Sequence, residues 1–360
     1  MRILIYGGSF DPIHLGHMNI AKYIKKTLHI DKVFFELAKN PRWKNPNVAS
    51  NHRLKMLQLA INGLKGFEID LYEFNSNEKI NYTYDTIKHF NTRFKGAQLY
   101  FLIGYDQLDK LHEWYKIDEL SKMVNFVAYN RKGSLLNQDN VNKYRVQVIE
   151  GTLFNVSSSD IRNLKSIYLD KNVLRYILDN KLYYAHNVQS MMSEKRYYHS
   201  IEVALLSLEI AKQNRLNKLK AFTAGLLHDI GKDLNKKEVE VIMQNHYKEY
   251  MDLLPFCYHQ FVGAYLAQEK FGIKDNKVLE AIKFHATGID KMSSIGKVVY
   301  ASDKIEPTRG FDSSDLIAAC IKNYREGFVK VLAANKEYLM KHNADINNRL
   351  TTACFLKYLK

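Results

Sequence analysis

The chain has 360 residues, 46% of them hydrophobic, and its 53 Lys and Arg against 38 Asp and Glu give a formal net charge of +15. This length accommodates two domains, and the lack of any run of about 18 apolar residues excludes a membrane-spanning helix. No basic segment followed by an apolar stretch opens the sequence, so no signal peptide is expected, and three widely spaced cysteines indicate free thiols in a reducing cytoplasm. The charge suits polyanions, but without a helix-turn-helix or zinc-finger pattern we expect phosphorylated ligands rather than nucleic acid.

In the first half, short apolar runs alternate with helical patterns. The runs predict strands at 3–6, 33–37, 67–71, 99–103, 125–128 and 146–149. Helical periodicity follows the first strand from about 17 to 28 and resumes after Ser50 and Tyr82. This βαβα order predicts an α/β fold with a doubly wound parallel sheet. Because ligands of such sheets bind at the carboxyl ends of strands, the loops after the first, second and fourth strands are expected to line a site.

The stretch from Tyr6 to His17, which reads Y-G-G-S-F-D-P-I-H-L-G-H, breaks the first strand at two glycines and leads into a helix. Gly7 and Gly8 allow the backbone to approach a phosphate, and a helix N-terminus favours negative charge. His14 and His17 can donate hydrogen bonds to charge that develops on a phosphoryl oxygen. Neither a Walker loop nor the G-x-G-x-x-G fingerprint is present, so the stretch predicts a phosphate site of another kind.

A second motif, Val156 to Arg162, follows the last predicted strand and reads V-S-S-S-D-I-R. Ser158 and Ser159 at a helix start can offer hydroxyl and N–H groups to a phosphate, and Arg162 adds a forked cation one turn later. By itself this pattern is equally typical of an ordinary helix cap followed by a surface arginine.

Together these motifs resemble the nucleotidyltransferase superfamily with the H-x-G-H signature, and within it the bacterial nicotinate-mononucleotide adenylyltransferases. The resemblance covers about residues 1–185 and implies a Rossmann-like domain that transfers AMP from ATP to nicotinate mononucleotide, releasing pyrophosphate and deamido-NAD. It implies that His14 and His17 hold the phosphates, that Arg162 and Lys44 are further catalytic cations, and that Mg²⁺ travels with the triphosphate. The plainer alternative is that the histidines only cap or pack a helix.

The resemblance also implies residues that bind ATP and the acceptor. Arg53 matches a cation near the mononucleotide, Thr83 and Thr86 match a segment beside the nicotinate group, and Trp114 matches a residue that stacks on the pyridine ring. The remaining implied substrate-binding residues are Gly7, Gly8, Ser9, Phe10, Asp11, Gly104, Asp106, Ser158 and Ser159. Tyr105 stands where the family usually has alanine, so nicotinamide mononucleotide and phosphopantetheine stay open as alternative acceptors.

The second half, beyond a connector at 184–192, shows only helical periodicity and predicts an all-α domain. Metal-ligand residue types are spaced through it, and His228 and Asp229 are adjacent. Adjacent His and Asp cannot both face one core, so burial of both would need a reason. A metal at a helix end supplies one, since imidazole and carboxylate suit iron, manganese or zinc.

The pattern H…HD…D resembles the HD phosphohydrolase superfamily, and its segments resemble the HD-type hydrolases of diadenosine tetraphosphate (Ap4A). The resemblance implies a two-metal centre, with iron expected, that splits this dinucleoside polyphosphate symmetrically into two ADP. The implied metal ligands are His199, His228, Asp229, His259, His285 and Asp303. Lys232, Lys304 and Arg309 are candidate polyphosphate-binding residues, with solvated surface charges as the alternative. Glu202 and Ser302 depart from the usual Arg and Ala without removing a ligand.

The sequence therefore predicts a bifunctional cytoplasmic enzyme with an adenylyltransferase domain at 1–187 and an HD phosphohydrolase domain at 188–360. Its expected partners are ATP, nicotinate mononucleotide and a dinucleoside polyphosphate, with no membrane partner, and a homo-oligomer is compatible with the sequence. Two alternatives stay open: an HD domain that acts on another nucleotide or only senses one, and RNA binding driven by the net charge.

Overall fold

The computed structural model describes residues 1–39, 41, 45–78, 80–129, 136–151, 154, 156–342 and 348–359. The chain divides into two compact units, unit 1 from Met1 to Tyr183 and unit 2 from Tyr184 to Lys360. This division lies four residues before the predicted boundary, which falls inside a short helix, Tyr184–Gln189.

Unit 1 is built on a six-stranded parallel sheet, which confirms the predicted fold class. The strands are β1 (Arg2–Gly8), β2 (Lys32–Leu37), β3 (Phe67–Asp70), β4 (Gln98–Gly104), β5 (Asn125–Tyr129) and β6 (Gln147–Ile149). Their order is β3-β2-β1-β4-β5-β6, so the direction of winding reverses between β1 and β4. A doubly wound sheet opens a crevice for ligands at such a switch point, beyond the carboxyl ends of the strands. The loop after β1 begins there.

The central strands β1, β2, β4 and β5 are mainly apolar because helices cover both faces of a parallel sheet, whereas the edge strands β3 and β6 also carry polar residues. The helices of unit 1 are α1 (Leu15–Thr27), α2 (Ser50–Ile61), α3 (Tyr72–Asn75), α4 (Thr83–Arg93), α5 (Tyr105–Asp109), α6 (Ile117–Met123), α7 (Gln138–Tyr144), α8 (Ser158–Arg162) and α9 (Lys171–Asp179). A 3-10 turn at Leu111–Glu113 follows α5. On one side of the sheet, Ile3, Phe34, Phe101 and Phe126 join a buried cluster that also receives Phe90 of α4.

The described residues of unit 2 form helices joined by turns and loops, with no strand, as the loss of strand patterns predicts. Its helices are α10 (Tyr184–Gln189), α11 (Glu194–Gln213), α12 (Lys218–Leu227), α13 (Lys236–His246), α14 (Tyr258–Phe271), α15 (Asn276–Lys283), α16 (Ser294–Ile305), α17 (Ser314–Lys322), α18 (Tyr324–Lys341) and α19 (Arg349–Tyr358). Gly225 allows α12 to pack closely on α11, since a Cβ there would lie 2.9 Å from Ala204 Cα. Within the described part of the chain, no helix combines the length and apolarity needed to cross a membrane.

Candidate active sites

His14 and His17 form one unit at the start of α1. His14 is the N-cap residue, and its Nδ1 accepts from the backbone N–H of His17 at 3.4 Å, while His17 Nδ1 accepts from the backbone N–H of His14 at 3.3 Å. Because both Nδ1 atoms accept, each neutral ring carries its proton on Nε2. The rings stack with centroids 3.7 Å apart. The cap thus fixes the tautomer of both imidazoles and makes each Nε2–H a donor.

Glycines and one aromatic side chain shape the loop that joins β1 to α1. A Cβ on Gly16 would lie 2.8 Å from His14 Nδ1, so only glycine leaves room for the imidazole. Phe10 has φ of +42°, an uncommon conformation for a bulky residue, and its ring packs edge-on against Tyr6 and His17. A Cβ on Gly8 would meet the Phe10 ring at 3.0 Å. The backbone of this loop is therefore held in shape by its own side chains.

The second motif lies against the first. Ser157 caps α8, and Ser158 Oγ donates to the carbonyl of Pro12 at 2.9 Å. Arg162 Nη1 donates to the carbonyl of Asp11 at 2.7 Å. Two stretches separated by about 145 residues thus meet at the carboxyl end of β1. Ser159 is exposed on the same helix.

The side chains of Asp11 and Arg53 are buried and form hydrogen bonds within the protein. The Asp11 carboxylate accepts from Tyr183 Oη at 2.9 Å and from the backbone N–H and side-chain amide of Asn47 at 2.8 and 2.9 Å. Arg53 is 1% exposed, and its guanidinium donates at 2.8 Å to the carbonyls of Ser9, Ala38 and Lys39. Burial lowers the Arg53 pKa. In this structure the guanidinium of Arg53 therefore ties two loops together.

The residues predicted to hold the acceptor lie on and near α4. Thr83 is its first residue, and Thr86 is buried, with Oγ1 donating to Glu73 Oε1 at 2.7 Å. Burial raises the pKa of Glu73 to about 7. Glu73 has no counterpart in the sequence prediction, because nothing in a lone glutamate signals that it will meet a threonine on the next helix.

Trp114 and Tyr105 both contact the buried cluster that contains Phe101 and Phe126. Trp114 is half-buried, with edge contacts to Phe101 and Phe126. Tyr105 is 5% exposed and packs in the buried cluster beneath the sheet, so its extra bulk goes into the core. Gly104 is the N-cap residue of α5, and Asp106 is exposed on its first turn. Lys44 lies outside the described residues.

In unit 2 the six predicted ligand residues converge. His228 Nε2 lies 3.6 Å from Asp303 Oδ1, and His199 Nε2 lies 3.0 Å from the same oxygen. On the other side, Asp229 Oδ1 lies 3.4 Å from His285 Nε2 and 3.6 Å from His259 Nε2. Asp229 Oδ2 is 3.7 Å from His228 Nε2, so Asp229 stands between two groups of ligands.

The donor set fits two metal ions. Two overlapping groups, His199–His228–Asp303 and His228–Asp229–His285, have ligand atoms within 4.8 Å of one another. His228 Nε2 and Asp229 Oδ1 are buried and make no hydrogen bond to described residues, although burial of such atoms is costly. Imidazole nitrogens with carboxylate oxygens are suitable ligands for divalent transition metals.

Burial and charge set the pKa values of four of the predicted ligand residues in the sense that metal ligation requires. Burial, with help from His285, lowers the pKa of His259 to about 3, and burial lowers the pKa of His285. Burial opposes ionisation of Asp303, but Lys304 and the His199 hydrogen bond bring its pKa well below the usual value. The pKa of Asp229 is likewise lowered against the effect of burial, chiefly by His228 and His285. The neutral imidazoles of His259 and His285 thus face ionised carboxylates, whereas hydrogen bonds to Asp303 and Glu306 raise the pKa of His199 against the effect of burial.

The candidate polyphosphate-binding residues surround this centre. Lys304 Nζ donates to Asp303 Oδ2 at 2.6 Å, and Lys232 Nζ lies 3.3 Å from Asp229 Oδ2. Arg309 Nε donates to the Asp303 carbonyl at 2.8 Å, and its Nη2 lies 3.3 Å from His199 Nε2. Arg196, which the sequence prediction missed, places Nε 3.7 Å from Asp229 Oδ2. It lies three residues before His199, and that proximity was the available signal.

A doubly wound sheet with two stacked histidines after β1, followed by a helical unit with a His/Asp cluster, defines a nucleotidyltransferase joined to an HD-type metal-dependent domain. Two protein-family comparisons agree: a Cytidylyltransferase-like family matches residues 5–164, and the HD domain family matches residues 196–308. The HD domain implies binding of divalent metal ions.

Similar proteins extend the match over both units. A probable nicotinate-nucleotide adenylyltransferase/Ap4A hydrolase of Mycoplasma genitalium is 32% identical over 340 residues, which are 92% of this chain and 97% of the relative. The protein of that name from Mycoplasma pneumoniae is 31% identical, covering 85% of this chain and 89% of its own. A probable nicotinate-nucleotide adenylyltransferase of Listeria monocytogenes is 40% identical over 51% of this chain and 97% of its own. The chain belongs to the nicotinate-nucleotide adenylyltransferase/Ap4A hydrolase family.

Proposed function

We propose that the protein is a bifunctional enzyme whose two activities follow the predicted segments 1–187 and 188–360. The first segment transfers AMP from ATP to nicotinate mononucleotide, and the second hydrolyses diadenosine tetraphosphate to two ADP. One observation carries this proposal. The chain holds both the stacked histidine pair and the His/Asp cluster, and a relative named nicotinate-nucleotide adenylyltransferase/Ap4A hydrolase matches it over nearly its whole length.

In unit 1, the phosphate of nicotinate mononucleotide attacks the α-phosphorus of ATP in line, and pyrophosphate leaves with the electrons of the broken P–O bond. No protein nucleophile is needed, so positioning and charge stabilisation account for catalysis. The Nε2–H groups of His14 and His17, with tautomers fixed by the cap, donate to phosphate oxygens. Arg162 and Lys44 add positive charge, and Mg²⁺ arrives with the triphosphate.

In unit 2, two ions, with iron expected, would be held by His199, His228, Asp229, His259, His285 and Asp303. When bound, they supply Lewis acidity that activates water and neutralises phosphate charge. Lys232, Lys304 and Arg309 bind the polyphosphate chain and hold it against this centre. One water adds to the central anhydride, its P–O–P bridge breaks, and two ADP leave.

A single observation favours a second acceptor beside nicotinate mononucleotide. The Thr86 hydroxyl donates to Glu73 Oε1 at 2.7 Å, so a carboxylate stands beside the segment expected to meet the nicotinate carboxylate. Because burial raises the pKa of Glu73 to about 7, its carboxyl is ionised above that pH, where it would repel that group but not a neutral carboxamide. Nicotinamide mononucleotide is therefore the alternative acceptor that the site favours.

The test uses the full-length protein and follows both activities in every variant. Pyrophosphate release is measured with ATP, Mg²⁺ and either pyridine mononucleotide, and ADP is measured with Ap4A and Mn²⁺ or Fe²⁺. We expect His17→Ala to abolish adenylyl transfer and spare hydrolysis, whereas Asp229→Asn should do the reverse. His29→Asn and Asp315→Asn serve as matched controls, since His29 follows the far end of α1 and Asp315 is exposed on α17. Loss of both activities in either variant, or no turnover with any pyridine mononucleotide, contradicts the proposal.

A further inference from the structure

Glu306 lies beside the metal-ligand cluster without being one of its predicted ligands. We propose that Glu306 is a positioning residue of the hydrolase centre, which holds the Nδ1–H of His199 and thereby directs Nε2 of that ring to the metal. The inference rests on the proposed function of unit 2. Glu306 is 1% exposed and directly follows the last residue of α16.

The four histidines of the cluster divide into two kinds according to what holds Nδ1. In three of them, Nδ1 bonds to the backbone carbonyl three residues earlier. These pairs are His228 with Gly225 at 2.7 Å, His259 with Phe256 at 2.6 Å and His285 with Ile282 at 2.8 Å. In each case the ring is turned so that Nε2 faces the cluster. Only His199 uses a side chain, with Nδ1 3.0 Å from Glu306 Oε1.

The position of each histidine in its helix explains this difference. His228 and His285 follow the ends of α12 and α15, where the last carbonyls lack helical N–H partners and can accept from a side chain. His259 lies at the start of α14, just after a 3-10 turn. His199, however, is an interior residue of α11, whose neighbouring carbonyls are taken by the helix. It therefore needs an acceptor from another element, and Glu306 supplies it.

The turn after α16 is built to hold this carboxylate in place. Glu306 Oε2 accepts from the backbone N–H of Thr308 at 2.6 Å, and the Thr308 hydroxyl donates to the same carboxylate at 2.7 Å. A buried carboxylate is tolerated only when its oxygens are hydrogen-bonded, and these donors meet that need. Glu306 O also accepts from the backbone N–H of Arg309 at 3.1 Å. One turn thus fixes both the ring of His199 and the start of the Arg309 side chain.

The chemical consequence is a defined tautomer. A proton kept on Nδ1 by a carboxylate leaves Nε2 as the ligating nitrogen and increases the basicity of the ring. Without Glu306 the ring of His199 is free to turn or to lose the Nδ1 proton instead. The three other histidine ligands do not depend on Glu306, since their Nδ1 atoms bond to main-chain carbonyls. The effect is therefore expected at the site that His199 shares with His228 and Asp303.

The experiment titrates metal-free full-length protein with Mn²⁺ and measures bound and free ion by electron paramagnetic resonance. Wild type should bind two ions. In Glu306→Ala the affinity of one site should fall by roughly 10- to 100-fold. Glu306→Gln keeps an acceptor oxygen without its charge, so its affinity should lie between the two. Glu280→Gln is the control, because Glu280 is a half-buried glutamate of the same unit that bonds to Ser293 rather than to a ligand.

The outcomes separate this inference from the proposed function. Wild type that binds no Mn²⁺ would overturn the two-metal proposal for unit 2 as a whole. Two intact sites in both Glu306 variants would overturn the positioning role alone. If Glu306→Ala fails to fold, as seen by circular dichroism, the comparison of Glu306→Gln with Glu280→Gln decides, and equal affinities refute the inference.

Discussion

Replacing Glu36 with glutamine is expected to stabilise unit 1 increasingly as the pH rises. Glu36 is fully buried near the carboxyl end of β2, directly opposite Asp70 of β3, and its Oε1 accepts from the backbone N–H of Glu73 at 2.9 Å. Burial, aided by the charges of Glu73 and Asp70, raises the pKa of Glu36 from 4.5 to about 10. The nearby His89 and Arg93 are paired with Asp70 rather than with Glu36.

The direction of this pH dependence follows from the protonation of the Glu36 carboxyl in the folded and in the unfolded chain. Below pH 4.5 both the folded and the unfolded chain hold the proton, so its contribution to stability is fully present. Above that pH the unfolded chain loses the proton while the folded chain keeps it, and the free energy of unfolding falls until the pH reaches about 10. At 1.36 kcal/mol per pH unit, the loss between pH 5.5 and 8.5 is about 4 kcal/mol. Glutamine cannot ionise, so the variant escapes this loss.

Urea unfolding followed by tryptophan fluorescence measures the effect in the full-length protein. Both tryptophans, Trp43 and Trp114, belong to unit 1, so the signal reports that unit. The stability difference between Glu36→Gln and wild type should grow by about 4 kcal/mol from pH 5.5 to 8.5. Glu68→Gln, on β3 with a side chain 40% exposed, is the control and should show no such growth. A difference that stays constant across this range, or that grows equally in the control, would refute the reasoning.

Three further predictions concern the two sites. Gly231→Ala should lower metal content and Ap4A hydrolysis but not adenylyl transfer, because the new Cβ would lie 2.6 Å from the carbonyl oxygen of His259; metal analysis of purified protein checks this. Arg162→Lys should lower kcat of adenylyl transfer by about 100-fold, since the single nitrogen of lysine cannot replace the planar fork that bonds to the Asp11 carbonyl through one Nη and leaves other N–H groups for a phosphate; unchanged kcat would contradict it. Tyr183→Phe removes a 2.9 Å bond to the buried Asp11 carboxylate and should destabilise unit 1 by about 2 kcal/mol in the same urea assay; equal unfolding midpoints in variant and wild type would contradict this stabilising role of the bond.

The sheet was predictable because its signals are local. Each of the six predicted runs contains a strand, and the central strands are mainly apolar because helices cover both faces of the sheet. The ends were less predictable: α1 begins at Leu15 rather than near residue 17 because an imidazole, His14, caps it. Histidine is not a usual cap, so sequence rules point further along the chain. Short helices such as α3 and α5 were missed because one turn carries no periodicity.

The roles of charged residues in unit 1 depend on partners that are distant in sequence. Arg53, which the sequence predicts near substrate, donates to backbone carbonyls of loops up to 44 residues away. Asp11 meets Tyr183, which is 172 residues away. Nothing in a single sequence separates a cation that holds a loop from one that holds a phosphate, since both are arginines near glycine-rich turns. The motif identifies the site, whereas the role of each charged residue within it depends on how that residue is buried and bonded.

At the adjacent pair His228–Asp229, in contrast to the arginines of unit 1, local sequence does determine the site. Two consecutive residues of a helix would point in different directions, yet His228 and Asp229 are only 0% and 3% exposed. Burial of both is feasible because α12 ends at Leu227, so the chain turns between the two side chains. Gly231 then lets this turn lie against α14, where any Cβ would strike the backbone. The same helix end leaves the Gly225 carbonyl available to fix His228, so a ligand pair, its orientation and its burial all arise from ending one helix there.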